Sequence, residues 1–296
     1  MDTLTIDTPH EFSYQQALHF LKRSPQEVLH FIQHERIEKV IYIDEKPVLM
    51  AVTANGKQLQ VSVLNQRISA AMKEVLIQYM EDWFDLKTDL QPFYAMAMKD
   101  RLLRTLVIKY AGYRIIGIPD LFESLCWAII GQQINLSFAY KLKRSFVMAF
   151  GRKFSRKGNT YFHFPLPEAI ASLDPDDLLQ LQFSRQKAQY VINVAEAFVA
   201  GTIAKNRLSI LSFQAAKEAL MSLKGIGNWT ANYALMKTFH FPNAFPLQDA
   251  GLHQAIAKQL NLQKKPTLLQ IEEQFKKYMG WEAYATLYLW RSLSDD

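Results

Sequence analysis

Cysteine is nearly absent: Cys126 is the one thiol among 296 residues. A single thiol excludes a disulfide framework, a four-cysteine zinc site and a four-cysteine iron–sulfur cluster. Long apolar runs are missing as well, since no stretch approaches the roughly 18–20 residues that cross a bilayer. The first twelve residues, MDTLTIDTPHEF, carry three acids and no Lys or Arg, unlike a secretory or organellar leader. A cytoplasmic setting is expected. No internal repeat or low-complexity tract is evident. His30 and His34 stand four apart, but HFIQHE lacks the glutamate spacing of a zinc-protease helix, and the pair reads as helix surface. The paired His-x-Glu and Pro-Cys-x-x-Cys pattern is also missing, which excludes zinc-dependent base deamination.

Acid is missing from one long stretch. Between Glu123 and Glu168 there is no Asp or Glu, yet Lys141, Lys143, Arg144, Arg152, Lys153, Arg156 and Lys157 all lie there. Residues 1–111 hold 13 Lys and Arg against 14 Asp and Glu, whereas 112–296 hold 21 against 14. The net charge of +6 therefore belongs to the second part. A one-sided basic domain is the footprint of a polyanion partner, although a solvated basic face has the same composition. With 49% hydrophobic residues the chain can build a sizeable core, and its length suggests two domains.

Residues 1–111 mix strand and helix signals. IEKVIYI (37–43), PVLMAVTA (47–54) and KQLQVSVL (57–64) are rich in β-branched and apolar residues. Asp44-Glu45-Lys46 joins the first two, and Asn55-Gly56 joins the last two through the type I′ turn that Asn-Gly favours. The expected antiparallel meander is flanked by a helix from Ser13 and one capped by Ser24 with Pro25 in its first turn. A third helix near 67–84 puts Ile68, Met72, Val75, Leu76, Tyr79 and Trp83 on one face. From about 112 onward the signal is almost wholly helical, beginning with a capping box of Asp120 and Glu123. The longest irregular stretch is 151–167. The expected class is α+β: a small domain over 1–111 with an antiparallel sheet, then an all-α domain over 112–296.

Residues 220–234, LMSLKGIGNWTANYA, read as a helix, a Gly225-Ile226-Gly227 hairpin and a second helix. Glycines permit a tight turn and close backbone approach, and the second helix starts with unpaired N–H groups at its positive end. A phosphate fits there, and so does a plain turn between helices. Twenty residues beyond Trp229, AFPLQDAGLHQAI places Asp249 at a helix entry, where Asp is a preferred cap. The same N–H groups keep a carboxylate ionised, ready to face a developing positive charge. Trp229 and Tyr233 share a helix face, and Trp290 ends a stripe of Trp281, Tyr284 and Tyr288. Such stripes usually face a core, but beside a basic surface they can stack a nucleobase.

Together with FESLCWAIIGQQINLSFAYKL (122–142), SRQKAQYVINVAEAFVAG (184–201) and YATLYLW (284–290), these segments resemble the DNA-3-methyladenine glycosylase II family. The resemblance runs in consistent order over roughly 120–291 and implies a helix-hairpin-helix core. It implies a reaction in which a damaged nucleotide is flipped from double-stranded DNA and its N-glycosidic bond is hydrolysed. Asp249 takes the place of the catalytic aspartate. Gly225, Gly227 and Thr230 match the hairpin whose main-chain N–H groups hold a phosphate. Trp229, Tyr233 and Trp290 match the pocket for the extruded base, and Gln133 the residue that wedges into the duplex. The main-chain carbonyls of Met221, Leu223 and Ile226 match positions that bind a monovalent cation in relatives; no other cofactor is implied. The family further implies a monomer without membrane contact, in the cytoplasm and on the nucleoid if bacterial.

Departures from the family sharpen the expectation. Bifunctional relatives carry a lysine nucleophile two residues after the second hairpin glycine, where this chain has Trp229. Ala250 follows the aspartate where a large aromatic is usual, and Gln182 stands where a glycine is common. The expected activity is monofunctional hydrolysis that excises alkylated purines of the 3-methyladenine and 7-methylguanine type. The alternatives are a related glycosylase for hypoxanthine or uracil, or a non-catalytic DNA-binding module in which Asp249 only caps.

Overall fold

Five antiparallel strands form the N-terminal sheet of the computed structural model, which describes residues 2–294. They are β1 (Thr3–Asp7), β2 (Phe31–Gln33), β3 (Arg36–Ile43), β4 (Lys46–Asn55) and β5 (Gln58–Val63), in spatial order β1-β5-β4-β3-β2. The expected meander is its centre, and Asn55 pairs with Gln58 across the Asn-Gly turn. Asp44-Glu45 makes the preceding turn with both residues at positive φ (48° and 61°), as the mirror-image hairpin turn requires.

β4 buries an unbroken run from Val48 to Val52, because both faces of the sheet are covered. Val48, Met50 and Val52 meet the helices Tyr14–Leu21 and Ala70–Phe84 on one face, while Leu49 and Ala51 pack with Tyr161 on the other. Tyr161 belongs to β7 (Asn159–His163), which pairs with β6 (Arg152–Arg156). The segment expected to be irregular is thus a hairpin. Its short basic strands carry little apolar signal of their own, and the sheet beneath orders them. Tyr161 donates to Glu38 (2.6 Å), and Arg152 pairs with Glu45 (2.7 Å) while covering the Tyr42 ring.

The helix expected after Ser24 does not form. Ser24 Oγ accepts the Gln26 N–H at 3.2 Å, and the Glu27 carboxylate accepts the N–H groups of Val28 and Leu29, both at 2.8 Å. Glu27 also binds Lys143 at 2.5 Å, which ties the turn to the helical half. Side chains have taken the donors a helix start would leave open. His30 and His34 are accordingly not on a helix; His34 lies in a turn at φ 46°.

In the helical half, nine of the eleven residues of Leu121–Gly131 are buried, so this helix is apolar on every side and central. It packs against Arg185–Val199 and Asn228–Phe239. Asp120 accepts the Glu123 N–H at 2.6 Å, but the reciprocal half of the capping box is not made. Gln182 takes φ 69°, the left-handed conformation that makes glycine common at such a position.

Candidate active site

The hairpin lies between the helices Phe213–Met221 and Asn228–Phe239. Gly225 has φ 102°, and a Cβ there would sit 2.3 Å from the Tyr190 ring, so no other residue fits. Gly227 faces open space and precedes a helix that has no side-chain cap. Its first-turn N–H groups, including that of Thr230, remain available to an anion. The Thr230 side chain is buried and accepts from Gln132 Nε2 at 3.0 Å, while the same amide reaches the Gly225 carbonyl at 3.3 Å. Gln133, next in sequence, is exposed at φ 56°. The expected wedge and the hairpin are therefore brought together through Gln132.

Asp249 caps the helix Ala250–Gln259. Its Oδ1 accepts from the Leu252 N–H and from Trp290 Nε1, both at 2.7 Å, and its Oδ2 accepts from Trp229 Nε1 at 3.1 Å. Three N–H donors thus fix one carboxylate. Gly251 makes room for this, because a Cβ there would approach Asp249 Oδ1 at 3.0 Å and the Trp290 ring at 3.5 Å. The preceding loop is pinned to the hairpin helix. Asn232 Oδ1 accepts the Phe245 N–H at 2.8 Å, and Asn228 Nδ2 donates to Gln248 at 3.0 Å.

The aromatic residues expected to act together do converge. Trp229 stacks on Tyr233 (5.4 Å, 25°), and Tyr233 lies 6.5 Å from Trp290. The Tyr233 hydroxyl accepts from Trp127 Nε1 at 2.9 Å, and burial raises its pKa, so the ring stays neutral. Tyr284 and Tyr288, from the same stripe as Trp290, are wholly buried core residues. At the proposed cation position the Leu223 carbonyl accepts the Ile226 N–H at 3.1 Å. Sequence reasoning missed Trp127, Gln132, Tyr190 and Gly251. The doubled glutamine of GQQIN was the available sign of the second, and the glycine two residues after Asp249 that of the last; Trp127 and Tyr190 act across distances that spacing does not encode.

A family model described as HhH-GPD superfamily base excision DNA repair protein matches residues 126–280, and one described as 8-oxoguanine DNA glycosylase, N-terminal domain, matches 6–125. A DNA-3-methyladenine glycosylase of Bacillus subtilis is 42% identical over 295 residues, covering 99% of this chain and 97% of that protein. Among solved structures, a 3-methyladenine DNA glycosylase from Archaeoglobus fulgidus superposes with TM-score 0.84 at 22% identity, over 97% of each chain. A Clostridium acetobutylicum 8-oxoguanine glycosylase/lyase, bound to double-stranded DNA, gives 0.76 at 19% identity, over 98% of this chain and 94% of that one. Fold and hairpin together are those of the base-excision glycosylases. Within that superfamily, the chain belongs to the DNA-3-methyladenine glycosylase family.

Proposed function

We propose that the protein is a monofunctional DNA N-glycosylase that hydrolyses the bond between deoxyribose and an alkylated purine. The observation that carries this is Asp249, held by Leu252, Trp229 and Trp290 beside the stacked rings of Trp229 and Tyr233. A fixed negative charge in a water-poor site stabilises the cationic sugar that forms as the base departs. An alkylated purine such as 3-methyladenine is cationic and leaves with the bonding electron pair as a neutral molecule, so no acid is needed. Water then adds to the sugar carbon, and its proton passes to solvent.

The hairpin around Gly225 and Gly227 grips a backbone phosphate, Gln133 fills the gap left in the duplex, and Trp229, Tyr233 and Trp290 enclose the extruded base. The carbonyls of Met221 at the end of the helix, of Leu223 in the turn after it and of Ile226 in the hairpin itself offer oxygens suited to a monovalent cation, which would lend positive charge to the phosphate site. The partner is damaged double-stranded DNA, met by a monomer in the cytoplasm. Residues 1–111 form the first domain and 112–296 the second. Release of free bases from methylated duplex DNA, resolved by chromatography, tests the proposal; a folded protein that releases none overturns it.

A further inference from the structure

A cavity of about 60 Å³ lies between the N-terminal and helical halves, apart from the site described above. Neither Asp249, nor its two tryptophans, nor the hairpin lines it. Cations outnumber acids on its wall, where Arg23, Lys39, Lys143 and Lys237 stand against only Glu27 and Glu123. Burial keeps His30, also on the wall, neutral at pH 7. One end is balanced. Lys143 pairs with Glu27 at 2.5 Å, Lys39 donates to the Leu29 carbonyl at 3.2 Å, and the charge of Glu123 bears on both lysines.

The other end is not. Arg23 and Lys237 lie against one ring, the guanidinium carbon 3.8 Å and the ammonium nitrogen 4.5 Å from the Phe20 centroid. Arg23 engages only Nε, on the Tyr140 hydroxyl; Nη1 and Nη2 have no acceptor among the described residues. Lys237 is 2% exposed, and its Nζ has no hydrogen bond or ion pair among the described residues. Asp85, the acid whose charge reaches Lys237, accepts from Thr88 and Tyr284 instead. A buried ammonium without a partner is costly, and here a like charge stands beside it. Burial and Arg23 accordingly push the Lys237 amine well below its ordinary range.

We infer that this end of the cavity is a binding site for one small free oxyanion of the phosphate class, held between Arg23 and Lys237. The unengaged Nη groups form a fork that matches two oxygens of such an ion, and the ammonium adds a point charge. At roughly 10–15 Å³ for each water, the cavity has room for a few waters or one such ion, and none for a nucleotide. Arg23 is exposed, so the ion can enter past it. Phe20 and Arg23 belong to the N-terminal half and Lys237 to the helix Asn228–Phe239. The bound ion therefore ties the two halves together and stabilises the fold by mass action.

The test titrates the full chain with inorganic phosphate at pH 7 and constant ionic strength, with sodium gluconate making up the balance. Calorimetry should find one ion per chain, and about 10 mM phosphate should raise the melting temperature by at least about 2 °C. Affinity should fall at least tenfold in Lys237→Met and in Arg23→Met. Saturating abasic duplex, which occupies the hairpin, should leave phosphate affinity within twofold. Neither heat nor a rise in melting temperature overturns the site. Binding that survives both substitutions, or that duplex displaces, puts the ion elsewhere and overturns it too. An equal rise with chloride overturns the oxyanion class, and an equal Lys237-dependent rise with deoxyadenosine monophosphate overturns the free ion. Should Lys237→Met misfold, Arg23→Met decides, because its side chain is exposed. Base release enters no arm of the test, so failure here leaves the glycosylase reading intact.

Discussion

Trp290 Nε1 donates to Asp249 Oδ1 at 2.7 Å, joining a residue at the end of the final helix to the cap of a helix 41 positions earlier. With Trp229 on the other oxygen at 3.1 Å, the carboxylate sits between two indoles. The two tryptophans therefore set where the negative charge lies.

Asp249→Asn should abolish base release while binding to abasic-analogue DNA persists. The charge acts on the cationic sugar, so its loss falls on the transition state. Asn keeps an oxygen for Leu252 and Trp290 but turns an amide N–H toward Trp229, at a cost of about 1 kcal/mol in stability. Turnover rate, DNA affinity and melting temperature together check this; near-normal turnover would remove Asp249 from catalysis.

Trp290→Phe deletes the indole N–H and keeps an aromatic ring. A hydrogen bond to a charged group contributes about 1.5–3 kcal/mol, so release of every substrate should slow roughly ten- to a hundredfold. A stacking role alone predicts little change. Single-turnover rates on cationic and neutral lesions, measured beside the melting temperature, separate the two.

Borohydride should trap no enzyme–DNA adduct, and the abasic strand should remain uncut. Trp229 has no amine, and Lys224 precedes the hairpin glycines. A covalent species on a denaturing gel would reveal a lysine nucleophile elsewhere.

Stability should fall between pH 6.5 and 4. Burial holds His30 and His163 down to about 4, with Lys39 disfavouring charge on both and Arg152 adding to this at His163; Glu27 and Glu45 oppose the effect. An unfolded chain with ordinary imidazoles near 6.5 takes up protons that the fold refuses. The contribution is complete above pH 6.5 and is lost as pH drops toward 4, up to about 3 kcal/mol for each histidine. His163→Gln should flatten the profile of melting temperature against pH, and an unchanged slope would count against this assignment.

Gly225→Ala should lose duplex binding. Positive φ disfavours any side chain there, and the added methyl collides with Tyr190. Fluorescence anisotropy with abasic duplex reads the loss, and normal affinity would show that the hairpin does not hold the phosphate.

The hairpin, Asp249 and the Trp229–Tyr233 pair were legible in the sequence because each rests on local spacing. The meander was legible for the same reason, through Asn55-Gly56. The contact between Trp290 and Asp249 was not, since periodicity shows which residues share a face and says nothing of what an indole N–H meets. The turn after Ser24 was not legible either: Ser24-Pro25 looks like a helix start until Glu27 binds the backbone and Lys143. The strands β6 and β7 lacked an apolar pattern because the residues that turn toward the N-terminal sheet include Arg152 and His163 beside Phe154 and Tyr161.

The helix Glu282–Arg291 follows every other element of the site in chain order. Until it docks, Asp249 lacks one of its three donors and the stacked rings lack Trp290 as a neighbour. Under the role proposed for Asp249, a nascent or loosely assembled chain is chemically silent: the carboxylate is held in place only once the aromatic surface beside it is complete.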